Sequence, residues 1–272
     1  MSDDSIKIGA AAAVCNGQNQ EGQNRGDTLA AASSDHPGGV DYDDSWENRW
    51  NDMRKYGPTG RHLRRIVTAM VRPLDYDSVL DVGCGQGSLL ASLMPLKPEA
   101  RYAGVDFAAK AIAVARRRAP NAEFGLLDIA AGHLDRRHDL VICTDVVEHI
   151  EDDVTALRNL AAMTGRYLLV STLQGRMRDF ERTVGHHRNY AHGELQAKIR
   201  SVGLEIERVV EWGFPFFSPL YRSVLGAASG QGTEGQYGPG RRFLAESLYH
   251  LFRLNSWSKG DYIYVLARRP GS

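Results

Sequence analysis

Ser78-Val-Leu-Asp-Val-Gly-Cys-Gly-Gln-Gly-Ser88 is the stretch whose reading decides the fold. Ser78 to Val82 is short and apolar apart from Asp81, which predicts a strand. Gly83-x-Gly85-x-Gly87 follows as a turn, because glycines let the main chain bend tightly and let a ligand approach it. Ser88 to Met94 then has helical spacing and is stopped by Pro95. Strand, glycine turn and helix in succession are the opening of a βαβ unit.

The same alternation continues outward. Arg101 to Asp106 predicts a second strand, followed by an Ala-rich helix over 108–118. Ala122 to Leu127 is a third strand that ends at Asp128, and His138 to Thr144 is a fourth. A helix over 151–164 has Asp152 and Asp153 near its start and Gly165 just past its end, as the helix dipole and C-terminal geometry favour. Arg166 to Thr172 is a fifth strand. A helix over 193–202 ends at Gly203, Leu204 to Trp212 is a sixth strand, and Asp261 to Arg268 is a seventh. The pattern predicts an α/β fold, a seven-stranded, mostly parallel sheet with helices on both faces. Such sheets bind ligands beyond the carboxyl ends of their strands. Those ends carry Asp81, Asp106, Asp128, Thr144, Asp145 and Thr172.

The 272 residues hold 33 Lys+Arg against 33 Asp+Glu, so the net charge is zero with His neutral. A general binder of nucleic acid or anionic membrane needs a basic surface, which this balance disfavours outside local patches. No apolar run approaches the roughly 18 residues of a membrane span. Cys15, Cys84 and Cys143 are too few and scattered for a disulfide framework, which fits the cytoplasm. Lys7 and the Ala-rich stretch to Val14 make a poor export signal, and the run before Cys15 only faintly resembles a lipoprotein cleavage site. Residues 1–40 lack any aromatic residue and read as a disordered tail. Residues 41–73 read as a helical cap, with Ser45 as a possible cap residue, a helix over 46–55 ended by Gly57-Pro58, and a second over 60–72. The core takes 74–214 and 261–272. Between its parts, 215–260 reads as an insertion that could cover an acceptor site. It contains a loop with six glycines in 226–240, then an amphipathic helix over 241–254 in which Leu244, Leu248 and Leu251 share a face beside Phe252.

Three details narrow the ligand. Ser88 stands where the dinucleotide pattern Gly-x-Gly-x-x-Gly needs its third glycine. Asp81, two residues before the turn, would repel a pyrophosphate and suit a cation. Asp106, at the end of the next strand and 25 residues further on, is placed to hold the hydroxyls of a ribose. A ligand with a ribose, a positive charge and no phosphate is S-adenosylmethionine. On these motifs the sequence resembles the class I S-adenosylmethionine-dependent methyltransferases, over roughly 60–214 and 261–269. The resemblance implies a Rossmann-like class I methyltransferase fold. It implies that Gly83 and Gly85 approach the methionine part and that Asp81 lies beside its ammonium group. Asp106 then takes the ribose, Phe107 packs on the adenine, Asp128 accepts from the adenine amino group and Ile129 donates its backbone N–H. Thr144 and Asp145 fall in the same cofactor cleft.

Methyl transfer is an in-line displacement for which the protein mainly binds and orients, but a hydroxyl acceptor needs a general base or a metal. Asp145, Glu148 and His149 are spaced i, i+3, i+4, so one helical turn would place them on one face. Gly185-His186-His187-Arg188 comes in the loop before the sixth strand. His149, His186 and His187 are candidate proton acceptors, with Glu148 beside them. The arrangement resembles ubiquinone-biosynthesis O-methyltransferases and small-RNA 2′-O-methyltransferases, whose acidic-x-x-Glu-His motif follows the fourth strand. In the RNA enzymes a distant His completes a Mg²⁺ site. Asp145, Glu148, His149 and His187 are the corresponding metal candidates, although Asp145 stands in place of the usual Glu.

The expected activity is O-methylation of a small, apolar acceptor. N- or C-methylation, a metal-dependent RNA 2′-O-methyltransferase, a non-catalytic cofactor-binding module and a nucleotide-dependent oxidoreductase are the alternatives. RNA is disfavoured because no basic domain or RNA-binding module is present. The 215–260 insertion admits contact with a lipidic substrate or a membrane. His62, His133, His138 and His250 read as structural or surface residues, and Arg116 to Arg118 as a solvated helix end.

Overall fold

The computed structural model describes residues 51–223 and 236–271. The expected tail, the Ser45 cap and most of the glycine-rich 226–240 loop lie outside the described residues. The chain enters through α1 (Asn51–Tyr56) and α2 (Pro58–Val71). Pro58 ends the first helix and also opens the second, since a proline at the first helical position lacks only an N–H that would be unpaired anyway. The apolar stripe of α2, including Ile66, Val67, Met70 and Val71, is fully buried.

The core then runs β1 (Ser78–Val82), α3 (Ser88–Leu93), β2 (Arg101–Asp106), α4 (Ala109–Arg118), β3 (Glu123–Leu126), β4 (His138–Thr144), α5 (Asp153–Met163) and β5 (Thr164–Leu173). It closes through α6 (Asp179–Thr183), α7 (Glu194–Ser201), β6 (Glu205–Trp212), α8 (Pro239–Phe252) and β7 (Tyr262–Arg268). The sheet order is β3-β2-β1-β4-β5-β7-β6. The first five strands are parallel, and β7 is antiparallel to both β5 and β6. Alternate residues of the central strands feed two cores. Val79, Leu140 and Ile142 pack with α2 and α3, while Leu80, Val82 and Val141 pack with α5 and α7. Strand order reverses between β1 and β4, which is where open sheets of this kind leave a crevice.

Two local readings need correction. Gly165 does not cap α5: β5 begins already at Thr164, and a Cβ on Gly165 would stand 3.0 Å from the His138 carbonyl oxygen. The glycine lets the two strands start close together. His138 is not a surface residue but is buried at the start of β4, and burial pushes its imidazole down to about 4.

His62 also proves structural, and it holds the cap to the sheet. Its ring is buried between Trp212, at the end of β6, and Tyr249 of α8, with centroids 4.9 and 4.7 Å away. Arg65 Nε donates to Nδ1 at 3.2 Å, so the proton sits on Nε2, which donates to the Tyr249 carbonyl at 2.9 Å. Burial pushes this imidazole down from 6.5 to about 4. A base with a lowered folded-state pKa stabilises fully above the unfolded value and loses that contribution as pH falls. Stability should therefore drop between pH 6.5 and 4, by up to about 1.4 kcal/mol per pH unit for each such histidine. His62→Gln, which keeps a donor for Tyr249, should flatten the fall in urea midpoint between pH 7 and 5. An unchanged pH dependence would show that His62 does not contribute.

Candidate functional site

The glycine turn between β1 and α3 lies at the point where strand order reverses. Gly83, Gly85 and Gly87 all have left-handed φ values, +74°, +50° and +72°, which side chains rarely tolerate. Gly83 and Cys84 both donate to the Val105 carbonyl, at 2.8 and 3.0 Å. A Cβ on Gly83 would come 2.2 Å from Val146 Cγ2, so the turn and the segment after β4 are in direct contact. Arg118, at the end of α4, reaches back to the Gln86 carbonyl at 3.2 Å and to the Ser88 hydroxyl. It is therefore a brace for the turn rather than part of a purely solvated face.

Two carboxylates flank this turn. Asp81 is 1% exposed on β1, and Asp106 is 4% exposed at the end of β2. Asp106 Oδ2 accepts from the Gly85 amide at 2.8 Å and Oδ1 from the Ala108 amide at 2.9 Å. These two amides orient the carboxylate. Phe107, next in sequence, is 41% exposed, an aromatic face available at the edge of the crevice. Asp128 is exposed and its side chain accepts from the Ala130 amide at 2.9 Å, as in an Asx turn. Ile129 is buried, and its carbonyl accepts from Asn159. These residues fit a nucleoside-bearing cation. Backbone comes close at the glycines, and buried negative charge lies on both sides.

Past β4 the expected single face breaks up. Thr144 is half-buried at the strand end. Asp145 takes a left-handed φ of +56°, which is uncommon outside glycine but tolerated by Asp. That turn directs its carboxylate to the Tyr262 hydroxyl on β7. Val147–His149 forms a single turn of 3₁₀ helix, so Asp145 is not carried around with Glu148 and His149. Glu148 is 1% exposed, and its Oε2 has no hydrogen-bond partner among the described residues. Burial pushes this carboxyl up to about 7.

His149 and His186 meet edge to face with centroids 4.7 Å apart. His149 Nδ1 lies 3.0 Å from the Gly185 carbonyl oxygen. A carbonyl only accepts, so the proton sits on Nδ1 and Nε2 is the nitrogen able to take another. Burial, then the neighbouring His149, push His186 down to about 4, so it is neutral at pH 7. One ligand atom each from Glu148, His149 and His186 lie within 4.8 Å of one another. His187 is the outward member of the pair: its side chain is exposed and its amide donates to the Glu148 carbonyl at 2.9 Å. The metal candidates Asp145 and His187 are thus not in the cluster, and His186 takes their place.

The sequence reading missed what holds His186. Asn189 Oδ1 lies 3.4 Å from His186 Nδ1, and Asn189 Nδ2 donates to Glu181 Oε2 at 2.8 Å. Glu181 is buried in an ion pair with Arg222, which also reaches Asp261. Arg188 fastens the same loop by donating to the Ile150 carbonyl at 2.9 Å and pairing with Asp153. Asn189 adjoins the histidines in sequence and was a readable signal, whereas Glu181, Arg222 and Asp261 are brought in only by the fold.

Comparison with known proteins agrees with this geometry. Residues 80–165 match the family model described as a methyltransferase domain. Over those residues the chain is similar to that family of methyltransferase domains. S-adenosylmethionine is the cofactor of this family. The malonyl-[acyl-carrier protein] O-methyltransferase of Acetivibrio thermocellus is 33% identical over 108 residues, covering 37% of this chain and 38% of that protein. The ubiquinone biosynthesis O-methyltransferase of Albidiferax ferrireducens is 32% identical over 117 residues, covering 40% of this chain and 46% of that one. The match thus spans less than half the length of either relative. Among solved structures, the N-methyltransferase NodS from Bradyrhizobium japonicum in complex with S-adenosyl-L-homocysteine superposes with a TM-score of 0.55 at 16% identity, over 83% of this chain and 95% of that one. At that identity the likeness is one of fold.

The buried carboxyl supplies a test of the site's electrostatics. A carboxyl whose folded pKa lies above its unfolded value of 4.5 destabilises progressively as pH rises from 4.5 through 7. Glu148→Gln removes that titration. Its stability relative to the parent should therefore increase between pH 5 and pH 8 in denaturant titrations, whatever the sign of the offset at pH 5. A constant difference would place Glu148 in a wetter or better-paired setting.

Proposed function

We propose that this protein methylates a hydroxyl group of a small, apolar acceptor, with S-adenosylmethionine as donor and His149 as the base. The observation that carries the donor half is the cradle at the strand-order reversal. Three left-handed glycines lie between buried Asp81 and Asp106, and Asp106 is oriented by the amide of the turn itself. When bound, S-adenosylmethionine supplies an electrophilic methyl carbon on a sulfonium. The chain's part is to bind, orient and accept a proton. Asp81 favours the cationic end, Asp106 receives ribose hydroxyls, Phe107 offers a face to the adenine, and Asp128 and Ile129 meet its edge. Gly83 and Gly85 admit the methionine portion, and Thr144 and Asp145 border it.

His149 serves the acceptor half, because the Gly185 carbonyl fixes its tautomer and leaves Nε2 as the accepting nitrogen. Buried Glu148 and half-buried His186 lie beside it, and the acceptor's displaced proton would pass to Nε2. The described parts of 215–260 pack beside the ends of β6 and β7 through aromatic residues such as Phe217 and Phe252, which supports a role as a cover that excludes water from the reaction. Cys84 and Cys143 are free and buried, in keeping with a reducing, cytoplasmic setting.

A second reading keeps the donor site and adds a divalent metal. The convergence of Glu148, His149 and His186 favours it, since a buried carboxylate and neutral imidazoles suit a borderline divalent ion. Those three residues would hold the ion, which would lower the pKa of an acceptor hydroxyl. Turnover abolished by EDTA and restored by Mg²⁺, Mn²⁺ or Zn²⁺ supports this second reading, and turnover indifferent to EDTA supports the first.

Asp106→Ala removes a charged hydrogen-bond acceptor, a loss of about 1.5–3 kcal/mol. The dissociation constant for S-adenosylhomocysteine in calorimetry should rise roughly 10- to 100-fold, in line with that energy. An unaltered affinity sinks the ribose assignment. His149→Ala should lower kcat by about 10²-fold or more, the usual contribution of a positioned base, and leave donor affinity near the parent value. Equal turnover would remove His149 from catalysis.

A further inference from the structure

The helix expected to bury Leu244, Leu248 and Leu251 buries a different face. Ala245 and Phe252 are the buried residues of α8, with Tyr249 and Leu248 half-buried beside them. At 100° per residue, Phe243, Leu244, Ser247 and Leu251 form the opposite face, with Leu254 in line just past its end. On that side Phe243 is 77% exposed, Leu254 70%, Leu244 58% and Leu251 38%. A single exposed apolar residue is ordinary, but four on one face mark an interaction surface. A helix apolar on two opposite sides has one side that the protein's own core does not cover.

The charge beside this face indicates what covers it. Between Pro58 and Arg72 the chain has four arginines and no carboxylate, and between Pro239 and Leu254 it has three arginines and Glu246. A chain of zero net charge has therefore gathered seven guanidinium groups and one carboxylate on two adjoining helices. Arg61 is the partner of Glu246, at 2.6 Å, and so joins α2 to α8. Further along, Arg64, Arg65 and Arg72 line a surface groove with Thr68, Ala69 and Ser92. The Arg253 charge, just past the end of α8, also acts on Arg65 of α2. Exposed Phe and Leu flanked by arginines are the features of a helix that lies in a bilayer interface. A soluble apolar partner would have no use for the basic ridge, and an anionic surface satisfies both features at once.

We propose that the outer face of α8, with the arginine ridge of α2 beside it, docks this protein onto an anionic phospholipid bilayer. Phe243, Leu244, Leu251 and Leu254 enter the acyl boundary, and the exposed Arg72 and Arg253 meet the headgroup charge, with Arg242, paired to Asp52, beside them. No helix among the described residues is long and apolar enough to cross a membrane, so the attachment is peripheral. The proposal stands on this surface alone and is independent of the reaction catalysed.

The test is cosedimentation of the full chain with vesicles of phosphatidylcholine alone and of phosphatidylcholine with 30% phosphatidylglycerol. The mixed vesicles should bind it at least tenfold more tightly, and raising NaCl from 0.05 to 0.5 M should remove most of that advantage. Phe243→Glu combined with Leu254→Glu should cut partitioning at least tenfold, and Arg72→Glu with Arg253→Glu should abolish the preference for phosphatidylglycerol. All four positions are at least partly exposed, so thermal unfolding and S-adenosylhomocysteine affinity serve as controls that should stay at parent values. Absence of binding to the mixed vesicles overturns the proposal, as does binding that survives the Phe243/Leu254 change. A concentration-dependent dimer in light scattering that the same change dissolves, without vesicle binding, assigns the face to a second copy of the chain and equally overturns it.

Discussion

The hydrogen bond from the Gly85 amide to the Asp106 carboxylate is the contact on which the donor site depends. It joins the middle of the glycine turn to the end of the neighbouring strand, 21 residues away. It fixes one rotamer of a buried acid that would otherwise be costly to leave without donors. The same bond sets the path of the turn, because Gly83 and Cys84 already share the Val105 carbonyl one residue earlier on β2. Glycine at these positions is a requirement of that geometry. Left-handed φ values and the 2.2 Å approach of a Cβ at Gly83 to Val146 leave no room for a side chain. One network of short contacts thus shapes the donor cradle and sets the distance to the acceptor side.

What was legible in the sequence was what is local. The strand, turn and helix from Ser78 to Ser88, the acid at Asp106 and the alternation that builds the sheet all follow from periodicity and glycine placement. The acceptor side was legible only in part. Glu148 and His149 were identifiable, but the spacing argument carried Asp145 with them. Its left-handed backbone and a tyrosine 117 residues distant turned it elsewhere. Between His186 and His187 no rule of spacing could choose. The choice is made by the left-handed Gly185 and by the Glu181 carbonyl, which receives the His186 amide at 3.0 Å. On α8 the sequence reading singled out the face of Leu244, Leu248 and Leu251, and packing of Phe252 against His62 and Trp212 turned another face inward.

The burial of charge around the histidine loop has a structural cost that its connections offset. Buried Glu181 and Arg222 form ion pairs with half-buried Asp261 at the end of the set, and such sets are worth retaining when every member is satisfied and a geometry is specified. Here they tie α6, the loop bearing His186, the helical turn at Phe216–Tyr221 and the start of β7 into one unit. The helical turn at Phe216–Tyr221 and the cluster of Glu148, His149 and His186 are therefore joined through Asn189 and Glu181.

The position of β7 has a consequence for how the chain is assembled. Among the described residues β6 is an edge strand whose one neighbour in the sheet is β7, which follows it in the chain. On a ribosome β6 emerges roughly fifty residues before the strand that must receive it, counting from Trp212 to Tyr262. Until then the edge of β5 stands open, a template for wrong pairings. The glycine turn and Asp106 belong to the first two strands and can form before that edge is closed, so a nascent chain can order this crevice while β6 is still without a place in the sheet.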